Sequence, residues 1–281
     1  VNPEIGDGKL YVNNGFWDTY RTAWPAYALL TPEKDAEMLN GLLAFYEDTG
    51  WVPRWTNPAG NDGMNGSHSE VVFGDAAMRG VEFDLEKAYE ASIRSANAQL
   101  EDANLGGRKE NNTYPFKHYI SNEVDNSVSW TMENYVNDFG TSQLAAALGY
   151  TDEASYLRNR ALNYVQLYNE EIGGFFSGRN PDGSWAANAE TFDPTNWWGD
   201  YTETNGYNMA FTVPQDGQGL ANLYGGREGL AEKLDGLFET QCTDTRISSG
   251  TIHEELEARE VKMGLYGHSN QPSHHIPYMY N

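Results

Sequence analysis

The stretch from Asp200 to Asn208, Asp-Tyr-Thr-Glu-Thr-Asn-Gly-Tyr-Asn, places one glutamate among hydroxyl and amide side chains. Trp197 and Trp198 come directly before it. A carboxylate surrounded by Thr, Asn, Tyr and Trp suits a site that holds a sugar and donates a proton to it. We therefore predict that Glu203 is a catalytic acid. The alternative is that Glu203 lies in the first turn of a helix, where it only favours the helix dipole.

A second group of candidate residues lies near the start of the chain, in Trp17-Asp18-Thr19-Tyr20-Arg21. Asp18 and Arg21 are three residues apart and would share one face of a helix. They form either a surface ion pair or a pair of hydroxyl-binding groups. Trp55 lies in a loop rich in turn-forming residues, 51–66, and loops of this kind often carry binding residues. Asp75 stands among small residues and could face a partner in the fold or a ligand.

Composition limits the possible partners of this 281-residue chain. The formal net charge is −23, which argues against a nucleic-acid partner because phosphate backbones are bound by Lys and Arg. The chain contains 8 Trp and 18 Tyr, whose rings suit stacking on sugar faces, although most are expected in the core. The single Cys242 excludes an internal disulfide and a cysteine-based zinc site. No apolar run reaches membrane-spanning length, so membrane insertion is not expected.

Helical periodicity dominates the sequence and strand signals are few. The best-marked helix has Thr31 as its cap, Pro32 in its first turn and Gly50 as its end. The pattern predicts an all-α protein built from paired helices in a toroid, because no fixed-period repeat supports a solenoid. Further helices are predicted over 71–77, 83–98 with an apolar stripe of Leu85, Tyr89, Ile93 and Ala96, 128–148, 153–168, 217–223 and 228–238, with a long connection over 101–125 and a small hairpin over 175–185.

Several segments, in this order along the chain, resemble the catalytic domain of glycoside hydrolase family 92, the calcium-dependent exo-acting α-mannosidases. The resemblance covers nearly the whole chain, and agreement in order is more specific than any one motif. The matching segments are Trp17-Asp18-Thr19-Tyr20-Arg21, His68 through Ala76, Glu133 to Ala145, Glu203-Thr204-Asn205, Val213-Pro214-Gln215-Asp216 and Asn270-Gln271-Pro272-Ser273-His274-His275.

The resemblance implies an (α/α)6 barrel and hydrolysis with inversion, in which Glu203 of the Glu-x-Asn motif is the general acid. It also implies a bound Ca²⁺, for which Gln271, His275 and Asn270 are the predicted ligands. Adjacent histidines point in different directions, so structural roles for His274 and His275 remain an alternative. Asp138 is interpreted as a structural hydrogen-bonding residue. The predicted substrate-binding residues are Trp17, Asp18, Arg21, Trp55, Asp75, Asn205 and Trp198.

Two residues depart from the family pattern: Gln271 stands where glutamate is usual, and Gln215 stands where histidine is common. We expect residues 1–281 to be one part of the barrel domain, with the N-terminal β-sandwich and the C-terminal segment that supplies the general base lying outside them. The remaining segments of the full-length enzyme are thus expected partners, and whether the fragment acts alone is left open.

The predicted substrate is a mannose-containing glycan, and the predicted location is extracellular or periplasmic, as in secreted bacterial enzymes. Linkage preference is left open. The alternatives are a hydrolase of mannosyl phosphodiesters, a non-catalytic mannose-binding homologue and a purely structural helical scaffold.

Overall fold

A computed structural model describes residues 8–197, 199–241 and 253–281. The chain divides into two compact units. Unit 1 comprises the described residues up to Pro115 together with Asn137–Arg160, and unit 2 comprises Phe116–Val136 together with Ala161–Asn281. One long helix, Ser127–Ala147, therefore gives its first residues to unit 2 and the rest to unit 1.

Unit 1 is mainly helical, with one small antiparallel pair of strands in which Trp55 lies opposite Asn61. Its elements are α1 (Phe16–Thr19), α2 (Ala23–Leu30), α3 (Pro32–Thr49), β1 (Trp55–Thr56), β2 (Gly60–Asn61), α4 (Ser69–Met78), α5 (Leu85–Asn97), a 3-10 turn (Ala103–Leu105), α6 (Tyr114–Lys117), which reaches into unit 2, the later residues of α7 (Ser127–Ala147), and α8 (Thr151–Ala161), whose last residue belongs to unit 2.

The predicted limits of α3 are confirmed. The helix begins at Pro32, which fits the first turn because it needs no backbone N–H there. It ends at Thr49, before Gly50 in the left-handed conformation. Its residues Leu39, Leu42 and Leu43 pack in a core shared with α2, α4 and α5.

The predicted apolar stripe of α5 is only partly correct. Leu85, Tyr89 and Ile93 are half-buried, whereas the fully buried face carries small residues. Those residues are Ala88, Ala91, Ser92, Ser95 and Ala96. Large apolar residues draw attention in a sequence, but a helix that packs closely against its neighbours presents small side chains to them.

Helices α4 and α7 touch through two glycines in unit 1. A Cβ atom added to Gly74 would lie 2.3 Å from the carbonyl oxygen of Gly140, and one added to Gly140 would lie 2.4 Å from Cα of Val71. Both obstacles are backbone atoms, which cannot move aside as a side chain can. Only glycine allows the two helices to approach this closely at this point.

Asp35 of α3 is a buried carboxylate, 1% exposed. Among the described residues, its Oδ1 has no hydrogen-bond partner. Burial, and secondly the negative charge of Asp75, raise the pKa of Asp35 to about 6. The folded state therefore holds this proton more tightly than the unfolded chain does.

Asp35→Asn is expected to stabilise the protein at neutral pH. The stability that the proton contributes is fully present below about pH 4 and is lost as the pH rises through about 6. The variant should gain about 1–3 kcal/mol in free energy of unfolding at pH 7.5 and little at pH 4, measured by urea unfolding. Glu33→Gln, an exposed change in the same helical turn, is the control. A gain for Asp35→Asn that is the same at both pH values would contradict this account.

Unit 2 combines short helices with long irregular segments. Its elements, besides the first residues of α7, are a 3-10 turn (Asn163–Leu167), β3 (Tyr168–Asn169), a 3-10 turn (Glu170–Ile172), β4 (Phe175–Phe176), α9 (Gly206–Met209), α10 (Gly217–Leu223), α11 (Arg227–Glu239), α12 (His253–Val261) and two 3-10 turns (Gln271–Ser273 and Ile276–Tyr280).

Two predictions for residues 153–185 need correction. The helix predicted over 153–168 ends as an α-helix at Ala161 and continues only as a 3-10 turn. The predicted hairpin is present but shorter, since Arg179 forms an antiparallel bridge with Trp185, whereas Phe175 and Phe176 pair with β3. A tight turn is nevertheless present where predicted, since the N–H of Asn180 donates to the carbonyl of Ser184 at 2.9 Å.

The described residues are rich in helix and their four strands are two residues long, in agreement with the predicted all-α class. The toroid itself stays a prediction. Within the described ranges, no helix combines the length and the apolar character needed to cross a membrane.

Candidate active site

Glu203 lies on an irregular segment of unit 2 that leads into α9. Asn205 caps this helix, because its Oδ1 accepts the backbone N–H of Asn208 at 3.0 Å. Glu203 precedes the cap by two residues, so the alternative that it occupies the first turn of a helix is wrong. Its φ of +51° is left-handed, a conformation that costs an L-residue about 1–2 kcal/mol. Strained positions of this kind are concentrated at functional sites.

The Glu203 side chain is held by a residue far along the chain. The Nδ2 group of Asn270 donates to the carboxylate Oε2 of Glu203 at 3.1 Å and to its backbone oxygen at 3.1 Å. Asn270 is 3% exposed, and Glu203 is half-buried. The carboxylate is thus oriented by a buried amide while part of the residue still reaches solvent.

Buried amides join the two segments on either side of this contact. The carbonyl of Leu265 accepts from Nδ2 of Asn205 at 3.2 Å and from Nδ2 of Asn208 at 2.8 Å. The Oδ1 atom of Asn208 accepts from the hydroxyl of Ser273 at 2.8 Å. Three predicted site residues, Glu203, Asn205 and Asn270, therefore lie in one cluster.

Of the predicted metal ligands, Asn270 belongs to this cluster, and Gln271 and His275 follow it along the chain. Within residues 8–197, 199–241 and 253–281, no group of three or more His, Cys, Asp and Glu side chains is placed to hold a metal ion. Ca²⁺ prefers oxygen ligands, and the amide oxygens of Asn270 and Gln271 have that chemistry. His275 does not fit as well, because its Nε2–H donates to the carbonyl of Phe211 at 2.6 Å and an imidazole offers nitrogen. The calcium site stays a prediction.

In unit 1, four side chains form an aromatic platform: Trp17, Tyr20, Arg21 and His68. The Arg21 guanidinium lies over the rings of Trp17 at 4.6 Å and Tyr20 at 4.2 Å, and its Nη1 donates to the carbonyl of Trp17 at 2.7 Å. The His68 ring stacks on Tyr20 at a centroid distance of 4.2 Å, with its plane inclined by 16°. Trp17 and His68 are buried, whereas Tyr20 and Arg21 are half-buried. The assignment of Trp17 and Arg21 to the substrate site stays a prediction, and Tyr20 and His68 are not among the residues predicted from the sequence.

The remaining predicted site residues have varied surroundings. Asp18 is exposed on α1. Trp55 is half-buried in β1 and forms a β-bridge with Gly15, where an added Cβ would lie 2.3 Å from its ring. Asp75 pairs with Arg79 at 2.8 Å, and both side chains are partly exposed, an arrangement typical of a surface ion pair. Trp198 lies outside the described residues.

A buried ion network occupies the interior of unit 1 and consists of Glu70, Arg108, Asp138 and Arg160. Their side chains are at most 1% exposed. Arg108 bridges the two acids, with Nη2 at 3.2 Å from Oε1 of Glu70 and Nη1 at 2.6 Å from Oδ1 of Asp138. Arg160 donates to both oxygens of Asp138, at 2.5 and 2.7 Å. The positive and negative charges are equal in number.

The interpretation of Asp138 as a structural residue is confirmed by this network. Burial alone would raise the pKa of Asp138, but the charges of Arg108 and Arg160 outweigh it and hold the pKa below its ordinary value. Asp138 is therefore a permanent anion at neutral pH. The sequence does not predict the burial of Arg108, because this residue lies in the polar stretch 101–125 and has no periodic apolar neighbour that would mark it as buried.

The chain belongs to glycosyl hydrolase family 92: the model of that family's catalytic domain matches residues 2–281. The family resemblance predicted from the motifs is therefore confirmed. A solved inverting mannosidase of this family from Bacteroides thetaiotaomicron is 34% identical to this chain, with a TM-score of 0.85. The match covers 98% of this chain and 37% of the mannosidase chain. A family α-mannosidase from the same organism, solved in complex with mannoimidazole, is 29% identical with a TM-score of 0.82, over 99% of this chain and 36% of the other.

A more distant relative is a fungal protein from Arthroderma benhamiae described as an uncharacterized secreted glycosidase. It is 26% identical over an alignment of 230 residues, and the match covers 71% of this chain and 30% of that protein. The chain thus spans about a third of the length of the relatives it matches.

Proposed function

We propose that the protein containing this chain is an inverting, exo-acting α-mannosidase that depends on Ca²⁺ and removes terminal mannose from glycans. The observation that carries the proposal is the strained, amide-held carboxylate of Glu203 in a chain 34% identical to an inverting mannosidase. Asn205 and Asn270 support it, because both tie the segment of Glu203 in place.

Glu203 acts as the general acid in this proposal. When its Oε2 accepts from Asn270, the proton of the neutral acid is on Oε1, from which it passes to the glycosidic oxygen as the bond breaks. Inversion also needs a second carboxylate, about 6.5–9.5 Å from the acid, to activate a water molecule. The family resemblance assigns that base to a segment outside residues 1–281.

Within unit 1, the half-buried Arg21 is proposed to offer N–H donors to a sugar hydroxyl, and Trp17, which is 2% exposed, supports its guanidinium from beneath. The amide oxygens of Asn270 and Gln271 would contribute to the Ca²⁺ site. When bound, the ion would supply positive charge that attracts hydroxyl groups of the sugar.

The helix-rich units and the TM-score of 0.85 to a family mannosidase support the (α/α)6 barrel. The secreted fungal relative supports an extracellular or periplasmic location.

The test is to incubate the full-length protein with an α-linked mannobiose and follow the product by proton NMR. The proposal expects β-mannose as the first product, loss of activity with a chelator, and recovery when Ca²⁺ is added. α-Mannose as the first product would exclude inversion. Hydrolysis of a mannosyl phosphodiester but not of mannobiose would favour the related activity, and mannose binding without turnover would indicate a non-catalytic homologue.

A further inference from the structure

His68 occupies an unusual backbone position in unit 1. It is fully buried, and its φ of +56° is left-handed. The loop before it is shaped around its ring: the Nε2–H donates to the carbonyl of Asn65 at 3.0 Å, and a Cβ atom on Gly66 would lie 2.2 Å from Nε2. Gly66 itself has a φ of +73°. This local backbone is unfavourable by itself, so other contacts must hold it.

The residues on either side of His68 are bound to one carboxylate. The hydroxyl of Ser67 donates to Oε1 of Glu70 at 2.7 Å, and the hydroxyl of Ser69 donates to Oε2 of Glu70 at 3.2 Å. All three residues are at most 3% exposed. Glu70 thus holds the backbone before and after His68 with its two oxygens.

Glu70 is itself fixed by the buried ion network. Both Nε and Nη2 of Arg108 donate to its Oε1, at 3.4 and 3.2 Å. Arg108 is bound in turn to Asp138, which Arg160 holds with two hydrogen bonds. Because each member is paired with an opposite charge, Glu70 has little freedom to rotate, and this rigidity extends to the loop around His68.

We infer that Glu70 is a positioning residue for the sugar site: through Ser67 and Ser69 it fixes the His68 ring against Tyr20, and thereby fixes the platform of Trp17 and Arg21. The inference rests on the proposed function, since it takes a mannoside as the ligand of the platform. The network then has a role beyond stability. It sets the orientation of the half-buried Tyr20 and Arg21, the two members of the platform that are open to a sugar hydroxyl.

The test uses the full-length protein with Ser67→Ala and Ser69→Ala combined, which removes the two hydroxyls but leaves every charge of the network in place. The matched control is Tyr114→Phe, which removes a 3.3 Å hydrogen bond to Asp138 in the same network, away from His68. With 4-nitrophenyl α-mannoside, KM should rise about tenfold in the double variant, with kcat changed less than KM, and should stay unchanged in the control. Ser69→Ala alone serves if the double variant is not recovered.

A second measurement follows His68 independently of activity. Diethyl pyrocarbonate should modify His68 slowly in the parent and in Tyr114→Phe, and faster in the double variant, as mapped by peptide mass spectrometry. Unchanged protection of His68 in the double variant would overturn the positioning role. Faster modification with an unchanged KM would overturn the link to the sugar site. A parent without mannosidase activity would instead count against the proposed function, while the protection of His68 would still decide the positioning role.

Discussion

Replacing Glu203 by glutamine is expected to lower kcat for an unactivated α-mannobiose by about 10²- to 10⁴-fold. A sugar alkoxide is a poor leaving group and needs a proton as the bond breaks, and an amide cannot supply one. Glutamine can still accept the hydrogen bond from Asn270, so the local structure should survive. For 4-nitrophenyl α-mannoside the loss should be about tenfold or less, because nitrophenolate leaves without protonation.

The two substrates, compared in one series, separate acid catalysis from binding. Glu190→Gln, which changes an exposed glutamate in the same unit, is the matched control and should behave like the parent. The alkaline limb of the kcat profile against pH should also disappear in Glu203→Gln, since that limb reports loss of the acid's proton. Equal activity of variant and parent on mannobiose would remove Glu203 from the role of acid.

The largest expected loss of stability follows from Asp138→Asn. This change removes the carboxylate that neutralises Arg160 and one of the two carboxylates that neutralise Arg108. Buried guanidinium charge is then left without a counter-charge. Removing one partner of a buried ion pair lowers the free energy of unfolding by about 3–5 kcal/mol. We expect a loss of that size in the free energy of unfolding at pH 7, measured by urea unfolding.

Asp75→Asn is the matched control for that measurement, because it breaks an Arg–Asp pair on the exposed side of α4 and should cost less than about 0.5 kcal/mol. The pH dependence gives a further check. The depressed pKa of Asp138 contributes stability at pH values above the ordinary carboxyl range, and this contribution is lost as the pH falls through the lowered pKa. The difference in free energy of unfolding between parent and variant should therefore become smaller at acidic pH. A loss no larger than that of Asp75→Asn would show that the network contributes little.

The sequence was a good guide to elements that end at clear local signals. The limits of α3 followed from Pro32 and Gly50, because proline and glycine act on the backbone where they stand. The start of α10 is instead fixed by Asp216, whose Oδ1 accepts the backbone N–H of Gly219 at 2.9 Å. The buried face of α5 was partly mispredicted, since close contact between helices selects small side chains that do not stand out in a hydrophobic pattern.

The site was predictable in its parts but not in its contacts. Glu203 and Asn270 were each found from motifs, yet their contact joins residues 67 positions apart, and no local rule provides it. The strained φ of Glu203 has no sequence signal, because glutamate rarely adopts it. The buried network was invisible for a related reason: Arg108 becomes an interior residue only when Glu70 and Asp138, from two other segments, neutralise it.

Exchanging helical glycine for alanine is a routine way to raise thermal tolerance, because glycine costs about 0.5–1 kcal/mol there. At Gly74 and Gly140 the same exchange would have the opposite result. These two residues set the separation of α4 and α7, the helices that carry Glu70 and Asp138, and a single guanidinium spans the gap between those acids. Pushing the helices apart by one methyl group would stretch that bridge, so an engineer should leave both positions untouched.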